Sequence, residues 1–376
     1  MVNKILFYGS FPKEGKQPYG GGEVGNMRTV RMLECAGYEV TKIRKFKSSA
    51  RWGRHLKILT YPFRLLAGWI KFFCILLFSS RRSVVHVSGF AGKTLFNEYV
   101  IMHIAKALGF NALYELRGGG AIAFWEKGAM LYKRMFAYIL RNACHVFVQG
   151  QEIVPLIKSV SDVPCYHYPN CVEDGFAPGE LPVKPKDRLN LLFYGRIEEE
   201  KHVDMIVEVA ALVQKQIRNV HLSIIGNGPK DYVAMIRDKL RELPASDTYT
   251  YISGCSHHEL PDLLMDKHFY IFPSTQPLEG QSNSVTECMS YGIVPVASPQ
   301  GFNRSTIGDD FLIVEHLSAE AYANKILSIV KSNSFDKLSV QVRERFLEKF
   351  SQKTVEEKTL AIYSDIMNRS TVFTTA

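Results

Sequence analysis

The sequence predicts an α/β protein made of two similar halves. Three observations point there. The opening I-L-F-Y-G-S at Ile5 to Ser10 returns as L-L-F-Y-G-R at Leu191 to Arg196. Each copy starts a run in which short apolar strands alternate with helical stretches, the pattern of doubly wound parallel sheets. Between the copies, Leu181 to Asp187 carries Pro182, Pro185 and three charges, and reads as a linker. Two Rossmann-like domains are therefore expected, 1–180 and 188–351, with a last helix in 352–376. With 376 residues, each half can bury a core of its own.

Composition narrows the class. Hydrophobic residues make up 46% and charged residues 22%, as in ordinary globular proteins. A net charge of +9 and a pI near 9.0 call for an anionic partner or surface. The seven cysteines form no C-x-x-C pair, which speaks against a disulfide framework or a zinc ribbon and for a reducing compartment. The N-terminal M-V-N-K-I-L-F-Y-G-S reads as a first strand, not as a signal peptide.

In chain order, Lys4 to Tyr8 is the first strand and Gly9 to Gly22 a loop ending in Y-G-G-G. Val24, Met27, Val30 and Leu33 then share a helix face up to Gly37. Thr41 to Arg82 holds eleven Lys or Arg and no Asp or Glu. The cations are interleaved with Phe46, Trp52, Tyr61, Phe63, Trp69, Phe72 and Phe73. Its apolar core, Leu65 to Phe78, is 14 residues and reads as too short to cross a bilayer. The segment is expected to lie on an anionic membrane surface. No nucleic-acid module is present, so nucleic acid is not an expected partner. Strands follow at Val84 to Val87, Ala112 to Leu116 and His145 to Gln149. Helices are expected at Thr94 to Leu108 and Glu126 to Asn142. Near the C-terminus, Thr354 and Glu357 form a capping box for a helix to about Asn368.

The most informative stretch is Phe269 to Ser298, F-Y-I-F-P-S-T-Q-P-L-E-G-Q-S-N-S-V-T-E-C-M-S-Y-G-I-V-P-V-A-S. It reads strand, polar loop, helix from Ser284 to Tyr291, strand. Between Glu279 and Glu287 stand Gly280, Gln281, Ser282, Asn283 and Ser284, small or polar residues at a helix start. Free N–H groups and the positive end of the helix dipole suit a phosphate there. Glu287 would repel an anion and suits neutral hydroxyls such as those of a ribose. Glu279, on the loop, can face a second hydroxylated group.

This string resembles the signature of retaining glycosyltransferases of family 4, with two Glu separated by seven residues. E-C-M-S-Y-G-I-V-P-V-A-S is similar to that family's E-A-M-A-x-G-x-P-V-V-A-S. Y-P-N-C-V-E-D-G-F-A-P, from Tyr168, resembles its I-P-N-G-V-D-x-x-x-F-x-P, and G-N-G-P, after Ile225, its G-x-G-P. The resemblance implies a GT-B fold: two Rossmann-like domains facing across a cleft, with a C-terminal helix crossing back to the first. It implies an acceptor on the first domain and a nucleotide sugar, a UDP-sugar above all, on the second. Arg196 and Lys201 would hold the donor diphosphate, and Glu279 would position the sugar and stabilise charge at the anomeric carbon. Gly280 to Ser284 and Glu287 would bind the donor, and Gly21 and Gly22 its phosphate or the acceptor. Tyr114 to Gly118, Y-E-L-R-G, resembles a variant from polysaccharide synthesis in which Arg117 stands where many members have His. Arg117 can bind a phosphate or an acidic acceptor but cannot act as a base, and a structural pairing with Glu115 or Glu126 is the other reading.

No D-x-D flanked by strand-like sequence occurs, so no metal and no cofactor beyond the donor are expected. The expected protein is a retaining enzyme of surface-polysaccharide synthesis, lipopolysaccharide or capsule. It would be cytoplasmic and peripheral on the inner membrane face, with a lipid-linked saccharide as acceptor. The alternatives are a soluble transferase making a small glycoside and a non-catalytic GT-B subunit that binds a nucleotide sugar.

Overall fold

A computed structural model describes residues 3–16, 21–45, 54–243 and 248–372. The chain divides into two compact units, Met1–Tyr168 with Glu356–Ala376, and Pro169–Val355. The division falls before the Pro-rich segment, not in it. Leu181 to Asp187 lies inside the second unit, where Lys184 Nζ donates to the Met265 carbonyl at 2.9 Å.

The first unit holds strands β1 (Lys4–Gly9), β2 (Glu39–Arg44), β3 (Val84–Gly89), β4 (Asn111–Leu116), β5 (His145–Val148) and β6 (Cys165–His167). They form one parallel sheet in the order β2-β1-β3-β4-β5-β6. Its helices are α1 (Gly21–Cys35), α2 (Arg54–Leu77), α3 (Leu95–Ala107), α4 (Ala121–Lys127), α5 (Met130–Asn142) and α6 (Val154–Val160). All six residues of β3 are buried, as expected for a parallel strand covered on both faces.

The second unit holds β7 (Leu189–Tyr194), β8 (Val220–Ile225), β9 (Tyr249–Ile252), β10 (Phe269–Phe272) and β11 (Val294–Ala297), in the parallel order β11-β10-β7-β8-β9. Its helices are α7 (Val203–Gln214), α8 (Lys230–Arg241), α9 (Leu260–Leu264), α10 (Asn283–Ser290), α11 (Asn303–Ile307), α12 (Ala319–Lys331) and α13 (Phe335–Lys349). Leu191 to Phe193, Phe269 to Phe272 and Val285 pack in its core.

The last helix, α14 (Gln352–Val372), sends Tyr363, Ile366 and Met367 into the core of the first unit, against Ile5, Phe7 and Phe147. It starts two residues before the expected capping box. Ser351 Oγ accepts the Thr354 N–H at 3.4 Å, and the Thr354 hydroxyl donates to the Leu347 carbonyl.

Helix α2 corrects the reading of the basic segment in two ways. It is 24 residues long and continues through Pro62. An 18-residue window, Thr60–Leu77, is apolar and long enough to cross a membrane, although only 11% of it is buried. Sequence pattern placed the apolar stretch after Arg64 and so made it too short. The second correction concerns Lys45, which is not a surface cation. It is 6% exposed and ion-paired with Glu98 at 3.1 Å. Phe46, Lys47, Arg51 and Trp52 lie outside the described residues.

Candidate functional site

The second unit assembles a cluster where the strands β7 and β10 end. After β7 the chain enters the R-I-E-E-E-K-H segment, whose path is fixed by close backbone contact with the turn after β8. A Cβ on Gly226 would stand 1.9 Å from the Gly195 carbonyl oxygen, and one on Gly228 would stand 1.8 Å from that of Ile197. Only glycine fits either position, which accounts physically for the G-N-G-P string.

The next turn delivers Lys201, 7% exposed. Its ammonium forms an ion pair with Glu279 and lies 4.6 Å from the centre of the Phe272 ring. Ser274 Oγ donates to the same Glu279 carboxylate at 2.9 Å. His202 follows in the left-handed region, φ 49°, where a residue with a Cβ is strained. Its Nε2 meets Thr275 Oγ1 at 2.7 Å, tying this turn to the loop after β10. Arg196, by contrast, is 69% exposed and pairs with Glu198 at 2.5 Å.

Helix α10 carries the second carboxylate. Tyr194, at the end of β7, donates its hydroxyl to Glu287, and His257 Nε2 stands 3.3 Å from the other Glu287 oxygen. Burial, the Glu287 charge and the bond to it push the Tyr194 phenol well above its ordinary pKa, so it stays a donor. His257 stacks on Phe176 with ring centres 4.6 Å apart. Sequence reasoning gave His257 no role; the only signal available was its short distance from the strand Tyr249–Ile252.

The residues between the two acids do unequal work. Gln281 Oε1 accepts the Asn170 N–H at 2.7 Å, and its Nε2 donates to the Asn170 carbonyl at 3.0 Å. Asn170 Nδ2 donates to Asn283 Oδ1 at 2.9 Å. Gln281 and Asn283 therefore fasten the Y-P-N segment to the start of α10. Ser282 and Ser284 hydroxyls lie 2.8 Å apart, and Tyr270 OH meets Ser284 at 2.7 Å. Gly280 sits where the loop turns back, its carbonyl accepting the Phe302 N–H at 3.4 Å. Among the described residues, no group of three His, Cys, Asp or Glu side chains could hold a metal ion.

In the first unit, Arg117 follows β4 and is 6% exposed. It takes the structural pairing with Glu115, Nη2 to Oε1 at 2.5 Å, not with Glu126. The other Glu115 oxygen meets His86 Nε2 at 2.9 Å, and His86 Nδ1 meets Tyr363 OH. Burial opposes the Glu115 charge, yet Arg117 and His86 hold its carboxyl below the usual range. Burial lowers the pKa of His86. A carboxylate only accepts, so Nε2 carries the proton and Nδ1 accepts from Tyr363. The guanidinium lies against α1, where a Cβ on Gly25 would come within 2.0 Å of Nη1. Its Nε is buried without a hydrogen-bond partner among the described residues. Gly21 and Gly22 form the first turn of α1, and a Cβ on Gly22 would touch the Phe90 ring at 3.0 Å.

Comparison with known proteins places these features. Residues 181–348 match the family of glycosyl transferases group 1. Over 185 residues the chain is 27% identical to the GtfA subunit of a UDP-N-acetylglucosamine–peptide N-acetylglucosaminyltransferase of Streptococcus pneumoniae, covering 45% of this chain and 35% of the relative. Over 176 residues it is 30% identical to a poly(ribitol-phosphate) alpha-N-acetylglucosaminyltransferase of Staphylococcus aureus, covering 45% of this chain and 34% of the relative. The chain thus spans about a third of the length of these curated relatives. HepE of Anabaena, solved in complex with UDP, superposes with a TM-score of 0.67 at 12% identity, over 97% of this chain and 100% of the other. Residues 181–348 carry the glycosyl transferases group 1 match, and the chain as a whole has the GT-B fold.

Proposed function

We propose that the chain is a retaining glycosyltransferase that moves a sugar from a nucleotide sugar, a UDP-sugar, to a lipid-linked saccharide in surface-polysaccharide synthesis. The observation that carries this reading is the Lys201–Glu279 pair, which joins the turn after β7 to the loop leading into α10, with Ser274 donating to the same carboxylate. It sets a cation for a diphosphate beside a carboxylate for an anomeric centre. Glu287, held by Tyr194, offers a second acceptor for hydroxyl groups one helical stretch away.

In the reaction proposed, an acceptor hydroxyl attacks the anomeric carbon on the face that the nucleotide leaves. The new C–O bond forms as the bond to the diphosphate breaks, and a phosphate oxygen takes the acceptor proton. Lys201, Arg196 and the N–H groups at the start of α10 meet the charge growing on the diphosphate. These groups are this chain's means of stabilising the leaving group, so the proposed transfer is metal-independent. Glu279 stabilises positive charge on the sugar. One relative's name gives UDP-N-acetylglucosamine as donor and a peptide as acceptor, the other's gives poly(ribitol-phosphate) as acceptor, which supports a UDP-sugar as donor here. The cytoplasmic membrane face, where lipid-linked saccharides are built, is the proposed location.

The test is a thermal-shift screen against UDP-, GDP-, ADP- and TDP-sugars, followed by NMR of the anomeric configuration of the product. Stabilisation by a UDP-sugar and a product of retained configuration are expected. No stabilisation by any nucleotide sugar, or an inverted product, would overturn the reading.

A further inference from the structure

Helix α2 has two apolar faces, and among the described residues only one of them is packed against the protein. Phe72 and Leu76 are fully buried. Trp69 Nε1 donates to Asn97 Oδ1 at 2.9 Å, and Asn97 Nδ2 donates to Tyr8 OH at 2.8 Å. Phe72 meets the Tyr8 ring edge-on with centres 5.5 Å apart. This face is thus fixed through α3 to β1. Facing away stand Phe63, Leu66, Ile70, Phe73 and Leu77, between 40% and 72% exposed, with Phe78 beyond the helix end at 91%. Their spacing of three and four residues puts them in one stripe, about 21 Å long at 1.5 Å per residue. Such a stripe exceeds the scattered apolar residues normal on a soluble surface and marks an interaction face.

We infer that α2 lies in the plane of an anionic bilayer, its exposed stripe immersed at the headgroup boundary and its opposite face still packed on the first unit. This deepens the membrane-surface part of the proposed function and rests on it. Length and composition alone would let α2 span a membrane. A spanning helix, however, surrenders its whole circumference to lipid or to other spanning elements. Here the Trp69–Asn97–Tyr8 chain and the burial of Phe72 and Leu76 hold one side against a soluble sheet unit. Half the girth remains, as in interfacial helices. The choice of a bilayer over a second copy of the chain comes from charge. Arg64 and Lys71, seven residues apart, line one edge of the stripe, and Arg81 and Arg82 follow its end. No Asp or Glu occurs from Thr41 to Arg82, so a two-fold contact would bring like charges together, whereas anionic headgroups complement them.

The experiment is co-sedimentation of the full chain with vesicles of phosphatidylglycerol and phosphatidylethanolamine, and with phosphatidylcholine alone. An alkaline carbonate wash follows. Binding to the anionic vesicles and release by carbonate are expected. Ile70→Ser and Phe73→Ser should each lower the partition coefficient about tenfold or more, while Lys71→Gln lowers it less and only on anionic vesicles. Hydrolysis of a UDP-sugar by these variants should stay at the wild-type rate, which separates this inference from the transferase reading. Retention after carbonate would mean a spanning helix and overturn the in-plane placement. So would an absence of vesicle binding, or a wild-type dimer that Ile70→Ser turns into a monomer without changing vesicle binding.

Discussion

Tyr363, on the last helix, donates its hydroxyl to His86 in β3, 277 positions earlier in the chain. Through His86, whose tautomer the Glu115 carboxylate fixes, and Glu115 itself, this bond links a C-terminal side chain to the guanidinium of Arg117. Tyr363→Phe removes the donor and leaves Nδ1 of a fully buried imidazole without it. A loss of about 1–2 kcal/mol in unfolding free energy is expected for a buried acceptor left unmade, read from urea titrations. A change within error would show that the bond is not formed in solution.

The two cations of the diphosphate segment should separate in their effects. Arg196 is exposed, so Arg196→Ala should change stability by no more than about 0.5 kcal/mol. It should still weaken donor binding and slow transfer, by roughly 2–4 kcal/mol for a contact made in a closed site. Lys201→Ala also strands the Glu279 carboxylate, whose side chain is 11% exposed. It should destabilise the fold by roughly 3 kcal/mol besides impairing the donor step. Calorimetric unfolding beside donor titration checks both, and equal stability losses in the two variants would contradict the arrangement described.

The paired acids should divide kcat from KM. Glu279→Ala should mainly lower kcat, because its interaction grows as positive charge develops on the sugar. Glu287→Ala should mainly raise the donor KM, and it also frees the Tyr194 hydroxyl. Glu279→Gln separates charge from hydrogen bonding. Steady-state kinetics at varied donor concentration decide the matter, and a Glu279→Ala enzyme with wild-type kcat would end the assignment.

His268 gives a pH dependence of known sign. Its Nδ1 accepts the Asn190 N–H at 3.1 Å, and Nε2 stands 2.9 Å from the Pro185 carbonyl. Burial, helped by the nearby Lys184 and Lys267 charges, lowers its pKa to about 4 from an ordinary 6.5. The unfolded chain therefore takes up a proton before the folded one does. Stability is present above pH 6.5 and is lost as pH falls toward about 4, by on the order of 3 kcal/mol in all. Unfolding titrations at neutral and mildly acidic pH should show a shallower pH dependence for His268→Gln than for the wild type. Parallel curves would refute the buried neutral imidazole.

Much of this was legible along the chain, and the exceptions share a cause. The strands β1, β7 and β10 are short apolar runs buried on both faces, and such runs announce themselves. Glu279 and Glu287 stand eight positions apart on one loop and helix, so local spacing carried them. Lys45 was misread as a surface charge because its partner Glu98 lies 53 residues away, and no local pattern predicts that meeting. The extent of α2 was hidden by Pro62 and Arg64, which interrupt an apolar run without ending the helix. Gln281 and Asn283 looked like ligand-binding residues of a helix start. The whole amide of Gln281 and the amide oxygen of Asn283 are engaged by Asn170, more than a hundred positions upstream.

The docking of α14 has a consequence for how the protein is made. Tyr363, Ile366 and Met367 complete an interior whose other walls, Ile5, Phe7 and Val84, leave the ribosome first. At about 5–20 residues per second, the nearly two hundred residues between Tyr168 and Tyr363 take on the order of ten to forty seconds to translate. For that time the early-born sheet lacks three of its core side chains, and the later unit, contiguous in sequence and ending at Val355, is synthesised whole before Tyr363 is added. The order of synthesis and the order of completion are thus reversed, and the nascent first unit is where a chaperone would find its grip.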